Sequence, residues 1–167
     1  MSLNIAADNP LAVAVVEAIH KGDVSSLKRL LENNPGLATA RIGDAKSWNG
    51  VSRSLLHIVT DWPGNFPNGA ETVVALVEAG ADVNARFNGS HAETPLHWAA
   101  SSNDVALLDA LLDAGADIEA PGAVIGGGTP LADAVGFGQW KVARRLIERG
   151  ARTTLAQAAA LGLMDRV

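Results

Sequence analysis

The seven residues Thr94-Pro95-Leu96-His97-Trp98-Ala99-Ala100 constrain this chain more than any other stretch. A threonine before proline opens a helix, because the hydroxyl can cap free backbone amides while a proline in the first turn sacrifices no hydrogen bond. Leu96, Ala99 and Ala100 then fall on one side at helical spacing, and the alanines let a second helix come close. Asn103 ends the first helix, since asparagine tolerates the left-handed conformation that a tight turn needs. A second helix follows, with Val105, Leu107, Leu108, Leu111 and Leu112 as its apolar stripe and Gly115 as its stop. Such a hairpin of two short helices cannot bury its own apolar face. Stacking contiguous copies buries it, so a chain carrying one unit must carry neighbours.

The neighbours are present. Thr129-Pro130-Leu131-Ala132-Asp133-Ala134-Val135 repeats the opening, and Gly150 closes that unit 21 residues after Thr129, the same interval as from Thr94 to Gly115. Upstream, Ser54-Leu55-Leu56-His57-Ile58-Val59 matches with leucine in place of proline, and its second helix, over residues 71–78, ends at Gly80-Ala81-Asp82-Val83-Asn84-Ala85. These motifs resemble the ankyrin repeat. The resemblance implies a single all-α solenoid of stacked helix-turn-helix units, joined by finger loops or short β-hairpins. The approximate units are 8–53, 54–93, 94–128 and 129–152, with a partial unit at 153–167. The first unit opens at Asp8-Asn9-Pro10, and its second helix spans residues 24–33. Residues 37–53 have no clear period and are expected to form an elongated finger with a turn at Asn49-Gly50. No structural expectation attaches to the first three residues.

Several intervals depart from the repeat: Gly80 to Thr94 and Gly115 to Thr129 are 14 residues each, two more than a standard finger needs, Gly150 to Thr153 is only three, and the second unit departs most. His57 to Gly80 is 23 residues, whereas His97 to Gly115 is 18. The extra five fall in Asp61-Trp62-Pro63-Gly64-Asn65-Phe66-Pro67-Asn68-Gly69, whose prolines and glycines predict an ordered, non-helical bulge. The last unit is mostly apolar, through Leu155, Ala158, Ala159, Leu161, Leu163, Met164 and Val167. A capping unit normally has a polar outer face. The expectation is therefore that the natural chain continues beyond Val167 or that another molecule covers this edge.

Composition narrows the function classes. There is no cysteine, so neither a disulfide framework nor a thiolate metal site is available. A net charge of −5 and no basic stripe argue against a nucleic-acid partner. The apolar run at residues 11–16 is too short for a membrane span. The reading is a soluble, cytoplasmic, non-enzymatic protein with no cofactor and no membrane partner. Gly126-Gly127-Gly128-Thr129 superficially suggests a phosphate loop, but it lacks the Lys-Ser/Thr pair, and Thr129-Pro130 already serves the repeat.

Two classes of candidate residue remain. His57 and His97 occupy one position of successive units, and the resemblance implies that they brace neighbouring repeats; Thr94, Pro95, Thr129, Pro130, Gly115 and Gly150 are expected to be structural as well. Asp133 sits in a slot where its neighbours carry Trp98 and Ile58. A buried carboxylate needs a partner, so a backbone amide or an arginine is expected beside it, or else a local polar site. The resemblance also implies that a partner lies along the concave face, against the finger tips and the exposed end of each first helix. Those helix-end pairs are His20 with Lys21, Asp61 with Trp62, Ser101 with Ser102, Gly136 with Phe137, and Ala160 with Leu161. Trp48, Trp62, Phe87, Ser102, Val124, Ile125 and Phe137 are the candidate partner contacts, with Arg86, Asn88 and His91 also on the fingers. Trp98 and Trp140 read as core. The expected function is binding an as yet unidentified protein. The alternative is a structural fragment that self-associates, or meets further C-terminal repeats, through the apolar edge 155–167.

Overall fold

The computed structural model describes residues 3–43, 50–163 and 165. Helices come in pairs: α1 (Pro10–Lys21) with α2 (Val24–Asn33), α3 (Leu55–Val59) with α4 (Gly69–Glu78), α5 (Pro95–Ser101) with α6 (Val105–Asp113), and α7 (Pro130–Gly136) with α8 (Trp140–Glu148). A ninth helix, α9 (Leu155–Ala160), follows. The first helices stack on one another in the order α1, α3, α5, α7, α9, and the second helices α2, α4, α6 and α8 form a parallel outer layer. The core runs continuously between the two layers. Leu55, Leu56 and Ile58 of α3, Leu96, Ala99 and Ala100 of α5, and Leu131 and Ala134 of α7 are fully buried, as are Leu76, Leu108, Leu111 and Leu146 of the outer layer. The alanines permit the close approach, and the leucines fill the seam.

The helix signals act as the residue types require. Pro95 and Pro130 occupy first-turn positions. Asn103 sits at φ 55°, and Gly115 and Gly150 at φ 92° and 101°, ending their helices in the left-handed region. Thr129, however, makes no side-chain cap bond. Thr94 is involved differently: its hydroxyl lies 2.9 Å from Nδ1 of His97, and its backbone N–H donates to that same nitrogen at 3.1 Å.

The all-α expectation needs one correction. Three short strands, β1 (Asn4–Ala6), β2 (Arg41–Gly43) and β3 (Ser52–Ser54), form a small sheet in the order β1-β2-β3. β2 and β3 are antiparallel, so the first finger is a hairpin preceded by a 3-10 turn at Leu37–Thr39. β1 joins parallel to β2, with Asn4 opposite Arg41 and Ile5 opposite Ile42. The Leu3 carbonyl accepts from the Arg41 amide at 2.7 Å, so Leu3 extends the pairing of β1 with β2. The Asn49-Gly50 turn lies at the boundary of the described residues, Asn49 being outside them.

The 61–69 segment is ordered and irregular, and it ties three helix pairs together. Asn68 Nδ2 donates to the Gly22 carbonyl between α1 and α2 at 2.9 Å. The Asn65 amide donates to Asp104 Oδ2 at the start of α6 at 3.0 Å. Phe66 stacks on His20 at the end of α1, with ring centroids 4.4 Å apart. Asp61 forms an ion pair with Arg53 of β3. The extra residues thus form a strap laid across the turn side of the array.

Candidate functional site

His57 and His97 show how the fingers are fixed. Both side chains are fully buried. The Thr94 amide makes Nδ1 of His97 an acceptor, so the proton sits on Nε2, which faces the Gly128 carbonyl at 3.4 Å. His57 repeats the pattern, with Ser54 Oγ 2.8 Å from Nδ1 and the Glu93 carbonyl 3.1 Å from Nε2. In each case the ring holds the residue two positions before the next first helix. Burial drives the His57 ring down to about 3 and the His97 ring down to about 4 from the ordinary 6.5, so both stay neutral at physiological pH. Backbone-accepting contacts to Glu93 and Gly128 oppose burial only in part.

With the fingers set, the ends of the first helices and the strap enclose a groove of about 250 Å³. Thr60 and Asp61 at the end of α3, together with Trp62, form one side. Trp98, Ser101 and Ser102 of α5 and its end form the middle, while Phe137, just past α7, and Val124 of the third finger form the other side. Glu93 completes the lining. The exposures are unusual for such residues: Trp62 is 84% exposed, Phe137 49% and Val124 40%. Ser102 anchors the strap side, since a Cβ on Gly64 would stand 2.6 Å from its Cβ. Its hydroxyl donates to the Trp98 carbonyl at 3.0 Å.

Of the seven candidate contacts, Trp62, Ser102, Val124 and Phe137 therefore meet in one groove. Ile125 is 41% exposed but folds back over α7, where a Cβ on Gly136 would come within 2.6 Å of its Cγ1. Phe87 is half-buried and does not line this groove. Its ring packs on Trp98 and His57, at centroid distances of 5.3 and 6.1 Å. Trp48 lies outside the described residues. His20, a helix-end candidate, is covered by Phe66. Trp98 is part core and part groove wall, whereas Trp140 departs from its core assignment. As the first residue of α8 it lies alongside the Gly138 turn and is 48% exposed. At the C-terminal edge Ala158 and Leu161 turn inward, while Leu155 is 68% exposed; Met164 and Val167 lie outside the described residues.

Two acidic groups escaped or only half-emerged from sequence reasoning. Glu93 is 7% exposed and gave no signal beyond preceding a Thr-Pro motif. Its carboxyl is raised by burial first and then by the charge of Asp133, while a hydrogen bond from the Trp98 side chain and the charge of His91 act the other way. Asp133 is fully buried, and Oδ1 accepts from the Ile125 amide at 3.1 Å, holding the third finger onto α7. Its Oδ2 has no hydrogen-bond partner, and burial raises this carboxyl too. Among the described residues no group of three or more His, Asp or Glu side chains could hold a metal ion. No described helix is long and apolar enough to cross a membrane.

The stacked hairpins, their closing glycines and the histidine braces define a helical repeat protein with a lined concave groove. The family model described as ankyrin repeats (three copies) matches residues 14–122 and again residues 56–157. The chain belongs to the ankyrin-repeat family. No curated protein matches it. Ankyrin repeats generally mediate protein–protein interaction, and domains built from them are typically non-catalytic.

Proposed function

We propose that this chain is a non-enzymatic protein-binding module whose partner docks in the groove between the strap, α5 and the end of α7. One observation carries the reading: Trp62, Val124 and Phe137, far apart in sequence and all substantially exposed, converge on a single concavity floored by Trp98. Exposed aromatic side chains clustered at a concave site are the usual anchors of a protein interface. The helix ends and fingers that carry them are fixed by buried histidines and by the strap, so little ordering is required on binding. Self-association through the 155–167 edge has weaker support, because among its described residues Ala158 and Leu161 face inward, leaving Leu155 and Ala159 as the exposed apolar contacts the edge was read from.

Photoreactive residues placed at positions 62 and 137, one at a time, test the reading in cells that express the protein. Position 74, on the exposed side of α4, serves as control. The same protein should cross-link from 62 and 137 and not from 74, and the Trp62→Ser, Phe137→Ser double variant should no longer capture it. Undiminished capture by a folded double variant would show that the partner binds elsewhere.

A further inference from the structure

The groove carries more charge than an apolar docking site needs. Glu93 lines it while 7% exposed, and Asp133, fully buried, lies close enough for its charge to act on Glu93. The third carboxylate of the region, Asp61, is already paired with Arg53. No ion pair among the described residues includes Glu93 or Asp133, and one oxygen of Asp133 has no hydrogen-bond partner at all. The nearby base, His91, is an exposed finger residue whose charge lowers both carboxyls only as a minor influence. Buried carboxylates without a cation are costly, so a cation supplied from outside would gain more here than on an open surface.

The walls specify the shape of that cation. Trp62 follows α3 and Phe137 follows α7, so they flank α5, whose Trp98 lies between them. Aromatic faces attract cations that approach them, and a guanidinium, planar and weakly hydrated, stacks on such faces better than an ammonium. A guanidinium also meets a carboxylate through two parallel donors. The volume suits one long side chain rather than a helix. Building on the docking reading above, we propose that the groove takes an arginine side chain from an extended segment of the partner, with its stem between Trp62 and Phe137 and its guanidinium on Glu93.

The test uses small probes on the intact, isotope-labelled chain: N-acetyl-arginine methylamide, the corresponding lysine compound, and the corresponding citrulline compound, which keeps the shape of arginine without its charge. In an NMR titration the arginine probe should shift the indole N–H signals of Trp62 and Trp98 and the amides of Val124 and Phe137 saturably, with an affinity that falls as salt is added. The citrulline probe should bind roughly tenfold more weakly, and Glu93→Gln should bring arginine down to the citrulline level. Equal binding of arginine and citrulline, or no saturable shift with arginine, would overturn the proposal on the wild-type chain alone, whether or not Glu93→Gln folds. Lysine binding as tightly as arginine would overturn the choice of guanidinium. A partner cross-linked from positions 62 and 137 but captured equally by folded Glu93→Gln would remove the arginine and leave the groove as the docking site. Loss of groove cross-links together with intact arginine-specific shifts would instead remove the protein-docking reading.

Discussion

Acid should weaken this fold through two histidines, and the loss can be sized. His57 and His97 are fully buried with partners at both ring nitrogens. They titrate at about 3 and about 4 in the folded chain, against an ordinary 6.5. On unfolding both return to the ordinary value, so below pH 6.5 the unfolded state takes up protons that the folded state refuses. A folded-state pKa depressed in this way contributes stability that is present above 6.5 and is lost as the pH falls toward 4 and 3. Between pH 7 and pH 5 the linkage amounts to about 2 kcal/mol for each ring. Against a typical domain stability of about 5–15 kcal/mol, the pair removes a large share of the margin. Glu93 and Asp133 act in the opposite sense. Their folded-state values are raised, so acid relieves the burden of their charge and the net loss is smaller than the two rings alone would give.

The His57→Gln variant isolates one ring from that background. Glutamine keeps a donor and an acceptor but does not titrate, so the variant should be less stable than wild type at pH 7 by about 1–3 kcal/mol, the usual consequence of disturbing a buried hydrogen-bonded group. Its further loss between pH 7 and pH 5 should be smaller than that of wild type by about 2 kcal/mol. Urea unfolding of both proteins at the two pH values measures this directly. If the variant loses as much stability as wild type over that interval, His57 is not held neutral by burial, and the account of the braces is wrong.

Three further outcomes follow from the strap and the groove. Gly22→Ala should cost at least about 1 kcal/mol more than Gly80→Ala, because both sit at positive φ but only the first would drive a Cβ to 2.2 Å from the Pro67 carbonyl oxygen; equal urea midpoints for the two variants would remove the strap contact from the account. Asn68→Ala loses the bond to Gly22 and the asparagine that tolerates φ 51°, so a loss of about 1–2 kcal/mol is expected. Amide exchange should accelerate around Gly22 and Asp23, and unchanged protection there would count against it. Asp133→Asn keeps the acceptor for the Ile125 amide while removing an unpaired buried charge, so it should match or exceed wild-type stability at pH 8 by up to about 1 kcal/mol and lose that advantage toward pH 4, as urea titrations at both values would reveal.

The repeat architecture was legible because its determinants are local. Thr-Pro openings, paired alanines, Asn103 and the closing glycines each act within a few residues, and their spacing carried the register through four helix pairs. β1 was not legible, because its partner lies 37 positions away, Asn4 opposite Arg41, and parallel pairing leaves no turn signal between the strands. Phe87, read from the sequence as a finger residue open to a partner, is half-buried with its ring against Trp98 and His57. Its main ring contact is Trp98 in the next unit, a tertiary neighbour that no local pattern contains. Trp140 failed in the opposite direction: its position fits the apolar stripe of α8, but a first-residue side chain leans beyond the packed turns of its own helix. Glu93 was invisible for a different reason, since only the stacking of three units turns that carboxylate into a groove.

A feature that sets this array apart is the irregular interval of its second unit. Without the five additional residues, the link from α3 to α4 would shrink from nine residues to four, close to the three of Ser102-Asn103-Asp104, and would leave less chain to wall the groove on that side. The added length alone would give a mobile wall. It is instead held at Asp61 by Arg53, at Asn65 by Asp104, at Phe66 by His20 and at Asn68 by Gly22, so four contacts, on β3 and on two helix pairs, fix the segment that carries Trp62. A tryptophan that is 84% exposed yet mounted on so constrained a segment loses little entropy when a partner covers it. On the proposed docking reading, the strap serves stability and recognition through the same residues. Weakening Asn68 or Gly22 should loosen the groove at a distance, lowering affinity for whatever Trp62 contacts even though neither residue lines the site.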